Sequence, residues 1–463
     1  MTKKMYQVSR ILAIGMVIFV CINLLTDQRV MILDENIIQR CFMQILVLIS
    51  FLAISILYEK KRKVFSTGYI FLLINVFING TLCPCYFTGS RLDSNTRDGV
   101  VQPPDFYDIY LIVYFLIILI VGVYLLAVKH TTTEIKKEDF IHYKHSDDIA
   151  MFLMGIVVFF FNFKLGTTGL VLYVPVLCYF VIRFFCTGGK INIYTIMGAI
   201  GGLLCLYEIR YNRYLIVAYI MPIIMIFCVY VAINDSKKRG KKVVPLVIAG
   251  VIVILAYGMV SELVKLNLYW GQDYNILDEI TDFQSIIDAC GRQIYRLFGI
   301  WTELGGNIIQ HVKLNGYYYG LSYVKSLADV FGFEYVNLPL ISAEYISAAY
   351  AQPGLIAEGY ANFGLLGAVI NMLIPFALAE GALSWFLKKR DPLALCILTV
   401  PFTKVLLDGG TFNYVFFGIA TCIFAFALYL VLHWFGIELK GYGNVRFRII
   451  RKKRIEDENE TTD

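Results

Sequence analysis

Apolar residues along this chain gather into long runs almost free of charge, separated by short basic or polar clusters. The runs lie near 8–25, 41–58, 64–82, 107–128, 149–163, 167–185, 191–207, 214–233, 243–260, 354–387, 392–407 and 412–435. Most are about 17–23 residues long, the length a helix needs to cross a hydrocarbon core of roughly 30 Å. Backbone polar groups at that depth must be satisfied internally, which a helix does within its own segment. The pattern therefore predicts an all-α polytopic membrane protein with about 12 transmembrane helices.

One connection breaks the short-loop pattern. Residues 261–353 form roughly ninety residues rich in Tyr, Gly and charge, too long for a passive link. Within them, 276–297 places Ile280, Phe283, Ile287, Ile294 and Leu297 at helical spacing, with Asp278, Glu279, Asp282 and Asp288 on other faces, which predicts an amphipathic helix. Gly316-Tyr317-Tyr318-Tyr319-Gly320 predicts a turn, followed by a second helical stretch near 321–331. The chain then divides into an N-terminal membrane region (1–260, about nine helices), a large, partly helical extracytoplasmic loop (261–353), a C-terminal membrane region (354–435, about three helices) and a tail (436–463) that is basic and then acidic.

Composition agrees and adds orientation. The chain is 58% hydrophobic and 16% charged, well beyond the apolar share of an ordinary soluble domain. Its net charge of +6 sits in clusters such as Lys60-Lys61-Arg62-Lys63 and Lys237-Lys238-Arg239, where topology rather than nucleic-acid binding explains it. Placing these clusters inside puts both termini in the cytoplasm and the long loop outside. Lys3, Lys4 and Arg10 precede the first apolar run, but no small-residue cleavage site follows, so a retained first helix is expected. The tail from Arg446 to Arg454 suits a segment lying against anionic membrane lipid. Most of the eleven cysteines, Cys21, Cys178 and Cys205 among them, fall in apolar runs and act as small hydrophobes; Cys83 and Cys85 flank Pro84 and read as interfacial thiols.

Candidate chemistry lies in outward-facing charges. There is no P-loop, GxGxxG, HExxH, GxSxG or Cys/His cluster at metal spacing, so no metal site is expected. Arg210 and Arg213 share a helical side at the outer end of the eighth run, against the positive-inside bias. Their planar donor forks suit phosphate oxygens; interfacial snorkelling with Glu208 as partner is the structural alternative. Arg292 and Arg296 repeat the spacing in the long loop, where pairing with nearby acids is the alternative. His311 is the one outer histidine, suited by its unperturbed pKa to act as a base or else a solvated loop residue. Pro353 starts a run that carries Glu358 and Asn362 four apart, so one face of that helix mouth is polar. A carboxylate entering an apolar helix faces a cavity or a cationic partner, and both readings stand. Gly359, Gly364 and Gly367 suit close helix packing.

The dozen helices, the long loop before the last of them, the outer arginines and the stretch Glu358-Gly359-Tyr360-Ala361-Asn362-Phe363-Gly364 together resemble the oligosaccharide repeat-unit polymerases, the O-antigen and capsular polysaccharide polymerases of the Wzy type. The arginine-to-glycine spacing of some members does not recur after Arg210, where Met221 stands in the glycine's place, or after Arg292, where Glu303 does. The resemblance implies a metal-independent, inverting glycosyl transfer with no cofactor in a bacterial cytoplasmic membrane. A growing glycan on undecaprenyl diphosphate passes to a sugar hydroxyl of the next lipid-linked repeat unit, with a chain-length regulator as a protein partner. Arg210 and Arg213 would hold the donor pyrophosphate, Arg292 and Arg296 the second carrier, Tyr360 and Asn362 the pyrophosphate or glycan, and Glu358 or His311 would take the acceptor proton.

Two rivals share much of this pattern. An O-antigen-type ligase uses the same architecture and chemistry. A flippase for lipid-linked oligosaccharide is the non-enzymatic alternative, although related halves and short loops would be its mark. An acidic pair in the first outer loop would suggest a polyprenyl-phosphate-sugar transferase, and Asp34-Glu35 is a weak form of it.

Overall fold

The computed structural model describes residues 2–26, 37–62, 66–75, 105–128, 145–165, 173–185, 191–208, 300–324, 331–344, 353–389, 436–440 and 444–448, with single positions at 223, 226, 328, 423 and 427. Ten helices and two strands follow in chain order. They are α1 (Thr2–Thr26), α2 (Ile37–Lys61), α3 (Thr67–Leu72), α4 (Asp105–Ala127), α5 (His145–Leu165), α6 (Val174–Phe185), α7 (Ile193–Glu208), α8 (Ile300–Asn315), α9 (Leu338–Glu344), α10 (Gly354–Lys389), β1 (Gly436–Lys440) and β2 (Asn444–Arg448). Three stretches are long and apolar enough to cross a membrane, Ile38–Lys61, Asp108–Ala127 and Gly354–Lys388. Tyr6–Ile22, Val174–Phe184 and Ile193–Cys205 are shorter apolar helices. Among the described residues this is fewer than the twelve crossings expected; the runs at 214–233, 243–260, 392–407 and 412–435 fall almost wholly outside them.

Two compact units divide these elements. The first holds α1–α4, α8, α9 and α10 as far as Glu380. Here α1 and α2 run antiparallel: Arg10 pairs with Glu59 near one end, and Val20 packs on Cys41 near the other. α2 and α4 run parallel, start beside start and end beside end. The Arg40 guanidinium grips the Asp108 carboxylate through Nε and Nη2, at 3.0 and 3.3 Å, while Lys61 Nζ donates to the Val128 carbonyl at 3.0 Å. Arg40 and Lys61 stand about 32 Å apart along α2 at 1.5 Å per residue, so polar clamps bracket one hydrocarbon thickness. Between the clamps the outward faces stay apolar: Ile11, Ile14, Ile18 and Ile22 are exposed on α1, and Ile38, Phe42, Ile49 and Ile56 on α2. A helix apolar on both its packed and its open faces is built for an apolar surround.

A buried polar knot closes this unit at the Lys61 end. The Glu380 carboxylate of α10 accepts from Arg62 Nη2 at 2.9 Å, from the Tyr58 hydroxyl at 3.1 Å and from the Ser66 hydroxyl. Ser66 also caps α3, accepting from the Tyr69 amide. Gly68 follows because no side chain fits there: a Cβ would collide with Glu380 and Phe376.

The second unit packs α5, α6 and α7 against one another around Asp148, which is fully buried. It accepts from the Tyr179 hydroxyl at 2.8 Å, Arg183 Nε at 3.1 Å and Asn192 Nδ2 at 2.9 Å, while Asn192 Oδ1 caps α7 at the Thr195 amide. The helical architecture carries one short two-stranded ribbon in the tail. β1 and β2 pair antiparallel, with Ile437 opposite Phe447 and Leu439 opposite Val445 on one face, and Glu438 opposite Arg446 on the other; β1 lies against α5. Strict alternation of apolar and charged residues favours a strand over a helix here, and a connection of Gly441, Tyr442 and Gly443 suits a hairpin.

Candidate functional site

The run 354–387, expected as one long helical segment, is broken near its start. Phe363 (φ −141°, ψ 26°) and Gly364 (φ 62°, ψ −149°) leave helical geometry, and Gly364 occupies a region essentially reserved for glycine. The chain doubles back at this point. Asn371 Nδ2 donates to the Leu355 carbonyl at 3.1 Å, and a Cβ on either Gly359 or Gly367 would strike the other's backbone. A short arm, 354–362, therefore packs antiparallel on the start of a long arm, 365–389. At about 14 Å the short arm cannot cross a bilayer, whereas the long arm, at about 38 Å, can. The glycines allow the close approach that the sequence suggested, but between two arms of one hairpin.

The turn after α8 straps this hairpin. Tyr318 N donates to the Ala361 carbonyl at 2.9 Å, and Gly320 N to Asn362 Oδ1 at 2.8 Å. Asn362 Nδ2 donates to the Ser322 hydroxyl oxygen at 2.7 Å and to the Glu358 carbonyl at 2.8 Å. Ser322 in turn donates to Glu358 Oε1 at 3.3 Å. Glu358 and Asn362 are buried, at 1% and 0% exposure, so the expected polar face of the helix mouth exists but is closed by the strap. The Tyr323 hydroxyl donates to Asn371 Oδ1 at 2.9 Å; burial, and then the nearby Glu358, push its phenol above the ordinary value. Residues 319–324 form turns where the start of a helix near 321–331 was expected; farther along, Ala328 N donates to the Val324 carbonyl and Gly332 N to the Ala328 carbonyl, both with helical spacing.

α8 supplies the other wall. It buries Leu304, Asn307, Ile308, Ile309 and Val312, and Gly305 abuts the Pro353 carbonyl and the Tyr110 ring hydroxyl of α4. His311 is half-buried on this helix, its ring 6.4 Å from that of Tyr318. The structure thus brings Glu358, Tyr360, Asn362 and His311 to one neighbourhood, with Tyr318 between His311 and the short arm. Arg210, Arg213, Arg292 and Arg296 lie outside the described residues, as do the 276–297 helix and Cys83 and Cys85. Sequence reading missed Ser322, Tyr323 and Asn371 as members of the site. The one available signal was Asn371, a second amide in the same largely apolar run as Asn362.

Fold and site define a largely helical protein with apolar helices of membrane-crossing length and a carboxylate buried on a broken one. The chain belongs to a family of unknown function, DUF6032, whose model matches residues 1–461. No curated protein and no solved structure matches it.

Proposed function

We propose that this protein is a multi-pass glycosyltransferase of the bacterial cytoplasmic membrane that polymerises undecaprenyl-diphosphate-linked oligosaccharide repeat units on the outer face. The observation that carries the reading is Glu358, an acid at 1% exposure on a short helical arm folded against a helix long enough to cross the bilayer. Ionisable groups at such depth are costly and serve a substrate or proton path. With the basic Lys60-Lys61-Arg62 end of α2 in the cytoplasm, the hairpin tip at Gly364 stands about 24 Å from Glu380 toward the outer face. There it can meet a lipid-linked substrate, and the hairpin counts as a single crossing.

The chemistry follows from the Ser322 hydroxyl. It donates to Glu358 as the hydroxyl of an acceptor sugar would, and lifting the 316–324 strap exchanges one hydroxyl for the other. That sugar oxygen attacks the anomeric carbon of the donor glycan; the new C–O bond forms as the bond to diphosphate breaks, with inversion. Glu358 or His311 takes the acceptor proton. The diphosphate leaves with the bonding electrons, stabilised by Arg210 and Arg213, while Arg292 and Arg296 hold the second carrier. Asn362 governs the strap, and Tyr360 faces the glycan.

Surface polysaccharide resolved by size, from cells lacking this gene and cells complemented with wild type or Glu358→Gln, tests the reading. Loss of long chains with single repeat units still exported, restored by wild type alone, is expected. Loss of all surface glycan with lipid-linked units trapped on the cytoplasmic face would replace the polymerase with a flippase.

A further inference from the structure

Tyr319 is the one non-glycine residue with positive φ (49°) among the described residues, and it is 76% exposed. A bulky side chain in the left-handed region is strained and persists where its surroundings fix it. Its surroundings do so: Tyr318 N and Gly320 N, on either side, are both bonded to the short arm, at Ala361 and Asn362. Strain without burial returns no packing to the fold, so the exposed ring is what the turn presents. It is not alone. Tyr317, 42% exposed, sets its ring 6.4 Å from Tyr319 at 75° and 6.0 Å from Tyr360 at 66°. Three rings with steeply inclined faces thus line a corner, two residues along the short arm from Glu358. A lipid-facing aromatic requires neither a fixed mutual angle nor a left-handed backbone. Such a corner offers apolar faces to the C–H side of a pyranose and phenol groups to its hydroxyls.

We propose that Tyr317, Tyr319 and Tyr360 form a sugar-stacking subsite that seats the glycan of a lipid-linked oligosaccharide beside Glu358. This rests on the polymerase reading and deepens it: the corner selects by the sugar, whereas the diphosphate and the polyprenyl chain are held elsewhere.

The test uses the full chain in lipid nanodiscs and two probes, lipid-linked oligosaccharide extracted from the producing cell and bare undecaprenyl diphosphate. Wild type is expected to bind the glycosylated probe at least tenfold more tightly than the bare carrier. Tyr319→Gly, which keeps the left-handed backbone without strain, is expected to lose that preference and leave affinity for the bare carrier unchanged; Tyr319→Phe is expected to keep most of it. Wild type with no preference for the glycosylated probe would overturn both the polymerase reading and the subsite. A preserved preference in both Tyr319→Gly and Tyr317→Ala would overturn the subsite alone. An equal loss toward both probes would assign the rings to lipid anchoring and overturn it too.

Discussion

Replacing Glu380 by alanine is expected to be among the most damaging single changes in the first unit. The carboxylate has 3% side-chain exposure and faces Arg62 at 4%, with N–O 2.9 Å. Arg62 Nε, buried, already has no hydrogen-bond partner, so Glu380 is its principal compensation besides the Tyr124 hydroxyl. Removing one member of a buried pair costs about 3–5 kcal/mol, because the remaining charge stays in a low-dielectric interior. The Tyr58 and Ser66 hydroxyls lose their acceptor in the same step. By contrast Glu59, at 18% side-chain exposure, pairs with Arg10 and a largely exposed Lys3, and its loss should cost about 1 kcal/mol or less. Reversible unfolding of the purified protein in mixed detergent micelles compares the two. Glu380→Ala should lose several kcal/mol more than Glu59→Ala, and the double change Arg62→Met with Glu380→Leu should recover most of it, since an apolar pair of similar volume replaces a buried ion pair at little cost. Equal losses for Glu380→Ala and Glu59→Ala, or a double variant no better than Glu380→Ala, would refute the reasoning.

Three further outcomes follow from the hairpin and the second unit. Gly364→Ala forces a Cβ into a backbone region that only glycine tolerates and should cost about 1–3 kcal/mol, read as a fall in unfolding midpoint. Asn362→Ala removes the acceptor of the Gly320 amide and a donor to Ser322, so amide exchange in 319–324 should rise by at least tenfold while exchange in α2 is unchanged. Asp148→Ala leaves Arg183, Tyr179 and Asn192 without their shared acceptor; a loss of about 3 kcal/mol or more is expected by thermal unfolding.

The sequence made the apolar helices legible because α2 and α4 carry unbroken runs whose length matches the bilayer, and the structure places their polar clamps at the ends of those runs. The hairpin was hidden for the same reason. Hydropathy is blind to a Phe-Gly break inside an apolar stretch, and the fold-back depends on Gly359 meeting Gly367, a contact of close backbones that leaves no periodic trace. α8 was missed because Gly305 and Gly306 lower helix propensity at its centre, while tertiary burial of Leu304, Ile308 and Ile309 decides the matter. The tail ribbon was legible in the alternation of Ile437, Leu439, Val445 and Phe447, but the basic charge around it drew the reading toward a lipid-bound segment. Glu358 and Asn362 stood out as polar residues entering an apolar helix; that Asn362 would spend its amide on the strap required the Gly320 and Ser322 contacts, brought from some forty residues away in sequence.

Polymerisation in purified proteoliposomes tests the central claim most directly. With lipid-linked repeat units as the sole substrate, wild-type protein should build a ladder of longer lipid-linked glycans and release undecaprenyl diphosphate. Glu358→Gln, folded and still binding the lipid-linked unit, should slow that ladder at least a hundredfold, as loss of a general base does. A ladder of unchanged rate from Glu358→Gln, or none from folded wild-type protein supplied with its own cell's repeat units, would contradict the account.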